Sequence, residues 1–315
     1  MIVTDYPEIK PNLLYRNKHF STIAPSLFRK HTVIYTRKRI TTPDTDFFNV
    51  DCILRNNKRA VVLLHGLEGS SNSQYIKGFA NLFANQQYDI HAINFRGCGG
   101  ESNLLPSSYH SGFTADLKLY IEQILPKYSS IYLIGFSLGG NVMLKYLAEY
   151  NNTANIIKAA AVVSVPVDLK GAAMELDNGF NRVYMQRFIN SLSKKILAKS
   201  KQFPQQIDIK GLHSIKNFKQ FDDRYTAPLH GFANAEEYWS KCSSINNLNT
   251  INTPTLFINS RNDPFLSASC FPYDEIADHP FLHGIFTNYG GHVGFMLNSK
   301  TSWLEPIVFS FFQEE

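Results

Sequence analysis

Ser137 stands between glycines where an apolar run stops: Ile131-Tyr132-Leu133-Ile134-Gly135-Phe136-Ser137-Leu138-Gly139-Gly140. A chain that leaves a strand and turns at once into a helix has no room for side chains two positions before and two after the turning residue, which is what glycine at 135 and 139 provides. Such a turn lifts the Ser137 hydroxyl above the end of a sheet and aims the Leu138 amide, at a helix N-terminus, into the same space. A serine hydroxyl is a poor nucleophile near neutral pH, so it needs a base, and the base needs an orienting carboxylate. Both occur downstream. Asp263 follows the apolar run 254–260 within Arg261-Asn262-Asp263-Pro264, and His292 comes 29 positions later in Gly290-Gly291-His292-Val293-Gly294-Phe295. Glycine neighbours suit an imidazole that must reach the nucleophile from a loop free of bulk, acting as general base and then general acid. Asp274 and Asp278 also lie between that run and His292, and position directly after a strand favours Asp263. A tetrahedral intermediate needs two oxyanion donors. The Leu138 amide is one; the Leu67 amide, after the run 60–64, is the second, with Gly66 allowing close backbone approach.

The elements that must position these residues are legible as an alternation. The short continuous apolar run at 60–64 predicts a strand buried on both faces, further strands are predicted at 88–95, 131–136 and 156–165, and 74–85, 115–124 and 141–148 carry helical periodicity between them. Strand, loop, helix repeated in this way predicts a parallel α/β array. Its glycine-dense loops fall at the carboxyl ends of the strands, where ligands bind in such sheets. Before it, 32–41 and 47–54 predict an antiparallel pair at a sheet edge, and residues 1–31 an arm with one short helix near Ser26. The alternation breaks between 167 and 250, where 180–197 and 233–241 look helical, and resumes with strands at 254–260 and 284–287 and a terminal helix over 303–312. The expected organisation is therefore an arm and edge strands (1–58), an α/β core (59–166 and 251–315), and a mainly helical cap inserted at 167–250 that shapes the site.

Composition bounds the rest. The 315 residues are 44% apolar, enough for a large core, and no run of eighteen apolar residues or basic-flanked leader occurs, which points to a soluble cytoplasmic protein. Cys52, Cys98, Cys242 and Cys270 are far apart, with neither metal-ligand nor disulfide-framework spacing. The net charge of +5 is uneven: residues 1–58 carry ten Lys and Arg against five Asp and Glu, and 167–250 twelve against eight. A basic arm of this kind would contact anionic lipid weakly, although without a block of five like charges ordinary solvated faces explain it more simply. Glu68-Gly69-Ser70-Ser71 lacks the Gly-Lys-Ser/Thr ending of a phosphate loop, so nucleotide binding is excluded, and no nucleic-acid partner is expected.

The segments 65–70 (HGLEGS), 94–101 (NFRGCGGE), 109–112 (YHSG), 135–141 (GFSLGGN), 221–232 (FDDRYTAPLHGF) and 290–295 (GGHVGF) together resemble the α/β-hydrolase superfamily, and within it the YheT-like branch of bacterial esterase-like proteins, eukaryotic abhydrolase-domain lipases and plant embryogenesis-associated proteins. Residues 17–29 are similar to the branch's amino-terminal arm, so the resemblance covers nearly the whole chain. It implies the α/β-hydrolase fold, a triad of Ser137, Asp263 and His292, and action on carboxyl esters, often acylglycerols or other lipids, without metal or cofactor. A thioesterase, amidase or acyltransferase using the same triad, or a non-catalytic protein using the cleft for a ligand, remain open on sequence, as do the acyl group and the oligomeric state. Arg96 reads as an internal ion pair fixing its loop or as a partner for a substrate anion. Cys98 reads as a small buried filler, and His65, His110 and His230 as hydrogen-bonded structural residues.

Overall fold

The computed structural model describes residues 1–3, 5–150 and 156–315. Its strands are β1 (Thr36–Thr41), β2 (Phe47–Ile53), β3 (Arg59–Leu64), β4 (Asp89–Asn94), β5 (Ser130–Phe136), β6 (Ile157–Val163), β7 (Thr255–Ser260) and β8 (Leu282–Thr287). They form one sheet in the order β1-β2-β4-β3-β5-β6-β7-β8, in which β2 runs antiparallel to both its neighbours and all later pairs are parallel.

The continuous apolar runs have the physical basis expected of strands covered on both faces. In β3, Ala60, Val62 and Leu64 enter one core while Val61 and Leu63 enter the other; in β5, Ile131 and Leu133 oppose Tyr132, Ile134 and Phe136. The first core is closed by helices Ala115–Ile124 and Leu138–Glu149, the second by Gln74–Asn85 and Leu304–Glu314. The edge strand β1 starts four residues later than the pattern predicts and presents Arg37, Lys38 and Arg39 in succession, charges that discourage pairing with another sheet.

The predicted arm helix is longer than expected. It spans Lys18–Phe28, because the Asn17 side chain accepts from the amides of His19 and Phe20 and caps it. Residues 167–250 contain only helical elements and connections, among them Arg182–Gln202 and Ala235–Cys242 close to where periodicity places them. Two features there are not legible in the pattern. Leu169–Leu176 is a helix with Gly171 inside it, nucleated by Asp168, whose side chain accepts from the Gly171 amide. Phe218–Leu229 passes through a five-residue π-helical stretch, Asp222–Thr226. No helix of the described residues is long and apolar enough to cross a membrane. Cys52, Cys98, Cys242 and Cys270 are all buried free thiols.

Candidate active site

Ser137 joins β5 to the helix Leu138–Glu149 with φ +52° and ψ −123°, a strained conformation for a residue with a side chain. The glycines around it are required by close approach. A Cβ on Gly135 would lie 2.7 Å from Cα of Gly140, and one on Gly139 2.5 Å from the His65 carbonyl oxygen. Gly66 is tight for the same reason, its virtual Cβ falling 3.1 Å from that of Ser137.

Asp263 follows β7 and is tied back by its amide to the Ser260 carbonyl. His292 lies on the loop between β8 and the last helix. The structure brings both to Ser137: Ser137 Oγ is 2.9 Å from His292 Nε2, and His292 Nδ1 is 2.9 and 3.1 Å from the two oxygens of Asp263. The Asp263 side chain is wholly buried, and its Oδ1 also accepts from the Phe265 amide at 2.8 Å. The phenyl ring of Phe265 stacks on the His292 imidazole with centroids 4.1 Å apart, a contact for which the sequence gives no signal. Asp274 and Asp278, the other carboxylates of that stretch, are exposed on and just after the helix Tyr273–Ala277 and take no part in this arrangement.

Leu138 is the first residue of its helix, so its N–H has no intrahelical acceptor. On the other side of the serine, the amides flanking Leu67 are occupied: Gly66 N–H donates to Tyr75 Oη at 3.0 Å and Glu68 N–H to Tyr109 Oη at 2.9 Å. The intervening Leu67 residue lines the same cleft as Ser137, Leu138 and His292. Tyr109 falls in a motif segment; Tyr75 carries no comparable signal. His65 organises the turn, donating from Nδ1 to the Gly66 carbonyl at 2.7 Å and accepting the Phe95 amide at Nε2, and burial lowers its pKa to about 4, so it is neutral.

The cleft has a volume of about 420 Å³, and Leu176, Phe188, Leu192 and Phe218 from the 167–250 segment give it an apolar wall. His110 and His230 also line it with rings 4.7 Å apart, but both are engaged locally: His230 Nδ1 donates to the Thr226 carbonyl, and His110 Nδ1 accepts the Gly112 amide. Burial lowers the His110 pKa to about 3. Arg96 is an internal ion-pair residue, bidentate to Asp116 at 2.7 and 2.8 Å and paired with Asp44 at 2.6 Å and Asp46 at 3.3 Å. Cys98 is buried, with Lys195 Nζ 3.3 Å from its sulfur. Among the described residues no cluster of His, Cys, Asp and Glu has the makings of a metal site.

The model of the alpha/beta hydrolase fold family matches residues 59–279. The chain belongs to that family. Within it, the YheT-like branch is the right placement: the chain is 34% identical over 313 residues to the Escherichia coli protein "Putative esterase YheT", covering 95% of this chain and 91% of that one. It is 31% identical to a Saccharomyces cerevisiae "Monoacylglycerol lipase" (84% of this chain, 61% of the relative) and 27% identical to the Bos taurus "Phospholipase ABHD3" (93% and 73%). The α/β-hydrolase fold is shared with the solved esterase Pf2001 of Pyrococcus furiosus at a TM-score of 0.62 over 99% of both chains, with 17% identity.

Proposed function

We propose that this α/β hydrolase is a serine esterase that cleaves carboxylic esters, with acylglycerols and other lipid esters as the substrate class its apolar cleft favours. The observation that carries the reading is the continuous line from Asp263 through His292 to Ser137, each step 2.9 Å. In this scheme Ser137 Oγ attacks the acyl carbonyl carbon while His292 Nε2 takes its proton. The new C–O bond leaves an oxyanion, held by the amides of Leu138 and Leu67, and Asp263 stabilises the imidazolium. Collapse breaks the ester C–O bond, and the departing alcohol takes the proton from His292. Water, deprotonated by His292, then attacks the acyl-enzyme, releases the acid and restores the Ser137 hydroxyl.

Residues 59–166 and 251–315 form the hydrolase core of this reading, residues 1–58 its arm and edge strands, and 167–250 a cap that closes over the acyl chain. The names of the relatives, esterase, monoacylglycerol lipase and phospholipase, support ester chemistry. The test is labelling with a fluorophosphonate together with hydrolysis of p-nitrophenyl esters. Wild type should label and turn over, and Ser137→Ala should do neither. An unlabelled wild type, or an S137A protein that hydrolyses as fast as wild type, would refute the assignment.

A further inference from the structure

The loop that presents His292 is held by three side chains from three distant parts of the chain. Gly291 (φ +62°), Val293 (φ +54°) and Phe295 (φ +45°) all occupy the left-handed region, which is strained for valine and phenylalanine and persists only where the surroundings over-determine it. At the apex, three successive amides are each captured. Gly291 N–H donates to Asn262 Oδ1 at 3.0 Å, His292 N–H to Thr22 Oγ1 at 2.9 Å, and Val293 N–H to Ser164 Oγ at 3.0 Å. Asn262 immediately precedes Asp263, and Ser164 lies just past β6. Thr22 sits on the arm helix Lys18–Phe28, 270 positions from the amide it binds.

The arm meets this clamp a second time, because Asn262 Nδ2 donates to the Arg16 carbonyl at 3.1 Å. Packing says the same. A Cβ on Gly294 would lie 2.1 Å from the Ser21 carbonyl oxygen, and one on Gly291 2.3 Å from Ser21 Oγ. The glycines beside His292 therefore make room for the arm helix to seat against the loop. That helix is anchored at its far end by the pair of buried Arg29 with half-buried Glu305, and His19 Nδ1 lies 3.1 Å from the Tyr184 hydroxyl on the helix Arg182–Gln202.

We propose that Thr22, Asn262 and Ser164 are positioning residues for His292, and that through Thr22 the amino-terminal arm is part of the catalytic apparatus. This rests on the assignment of His292 as general base. An imidazole must approach the nucleophile within tenths of an ångström to work, and its backbone amide is the nearest fixed point on the loop.

The test is steady-state kinetics of the full-length protein on a short, soluble ester, with melting temperatures measured alongside. Thr22→Val removes the acceptor at nearly constant volume and should lower kcat about tenfold or more while KM stays within about twofold. Thr22→Ser restores the hydroxyl and should recover kcat to within about threefold of wild type. Ser164→Ala should lower kcat in the same direction with KM unchanged, whereas Ser26→Ala, on the exposed face of the same helix, should change neither. A folded T22V enzyme with wild-type kcat overturns the proposal, as does a T22S enzyme as impaired as T22V. Should T22V prove insoluble, a soluble S164A enzyme with wild-type kcat overturns it. His292→Ala separates the two levels: if it retains activity the base assignment fails, whereas an inactive H292A beside an unimpaired T22V refutes the clamp alone.

Discussion

The Glu68 carboxylate accepts from the Lys195 ammonium at 2.6 Å, joining the loop that carries the Leu67 amide to the helix Arg182–Gln202. Ser191 Oγ, one turn earlier on that helix, donates to the other carboxylate oxygen at 2.6 Å, and Tyr109 Oη to the first at 3.0 Å. Glu68 itself has φ +55°. Its conformation is thus stabilised from the helical segment above the cleft as well as from the core.

Lys195→Met should leave Glu68 buried without its cation, a more costly change than removing both charges. Because the lysine is about one-third exposed, the expected loss is about 1–3 kcal/mol of unfolding free energy. Glu68→Gln combined with Lys195→Met should recover part of that loss. Urea unfolding of the four proteins in a double-mutant cycle measures the coupling. Strictly additive effects would show that the pair contributes nothing beyond its separate packing.

Two glycines near the cleft should differ in how much an alanine costs them. Gly139 has only backbone close by, at 2.5 Å from His65 O and 2.7 Å from Leu64 O, so neither side can yield cheaply. G139A should lose about 3 kcal/mol or more, or fail to accumulate as folded protein. Gly100 has φ +97° and open space around its virtual Cβ, so G100A should pay only conformational strain, about 1–2 kcal/mol. Similar melting temperatures for the two variants would contradict the steric account of the elbow.

The buried strands and the residues at their carboxyl ends were readable because both report locally. An apolar run such as 60–64 or 131–136 specifies a strand covered on both sides, and Ser137, Asp263 and His292 follow β5, β7 and β8 in the order that the family resemblance implies. Helices 74–85 and 115–124 matched their periodicity residue for residue. What was not readable depends on contacts between distant segments. The arm reads as a segment with one short helix and no role of its own, yet Thr22 meets the His292 amide, and nothing in residues 17–29 alone encodes a partner 270 positions away. The glycines at 291 and 294 suggested freedom for an imidazole; the structure shows them admitting Ser21 and Thr22. Cys98 reads as filler, but it also meets the ammonium of Lys195.

Leu192 lies on the helix Arg182–Gln202 and forms part of the apolar wall of the cleft. Leu192→Trp adds bulk to that wall, so long acyl chains should suffer more than acetate or butyrate. Each excluded methylene is worth roughly 1 kcal/mol of binding. The ratio of kcat/KM for a decanoyl to a butyryl p-nitrophenyl ester should therefore fall about tenfold or more, with butyrate hydrolysis close to wild type. An unchanged ratio would mean that the acyl chain does not run along this helix.

Asp222 gives the fold a pH dependence of its own. Its carboxylate is buried beside the cleft and accepts from Trp239 Nε1 at 2.9 Å, and burial pushes its pKa from 3.8 up to about 7, against the opposing effect of the Thr226 and Trp239 hydrogen bonds. The sign follows from linkage. Below pH 3.8 the folded and unfolded chains both carry the proton and the group costs nothing. As pH rises the unfolded carboxyl ionises first, so stability declines until the folded group also ionises near pH 7, and the loss is constant above that. The full penalty is on the order of 4 kcal/mol, an upper bound if water reaches the site. Asp222→Asn keeps a carbonyl to accept from Trp239 and cannot ionise. It should therefore exceed wild type in unfolding free energy at pH 8, with the difference shrinking steadily as the pH is lowered toward 4. Comparing the two proteins by urea unfolding at pH 4.5, 6 and 8 cancels the titration of every other group. A difference that stays constant across that range, or grows as the pH falls, would show that Asp222 does not hold its proton in the folded state.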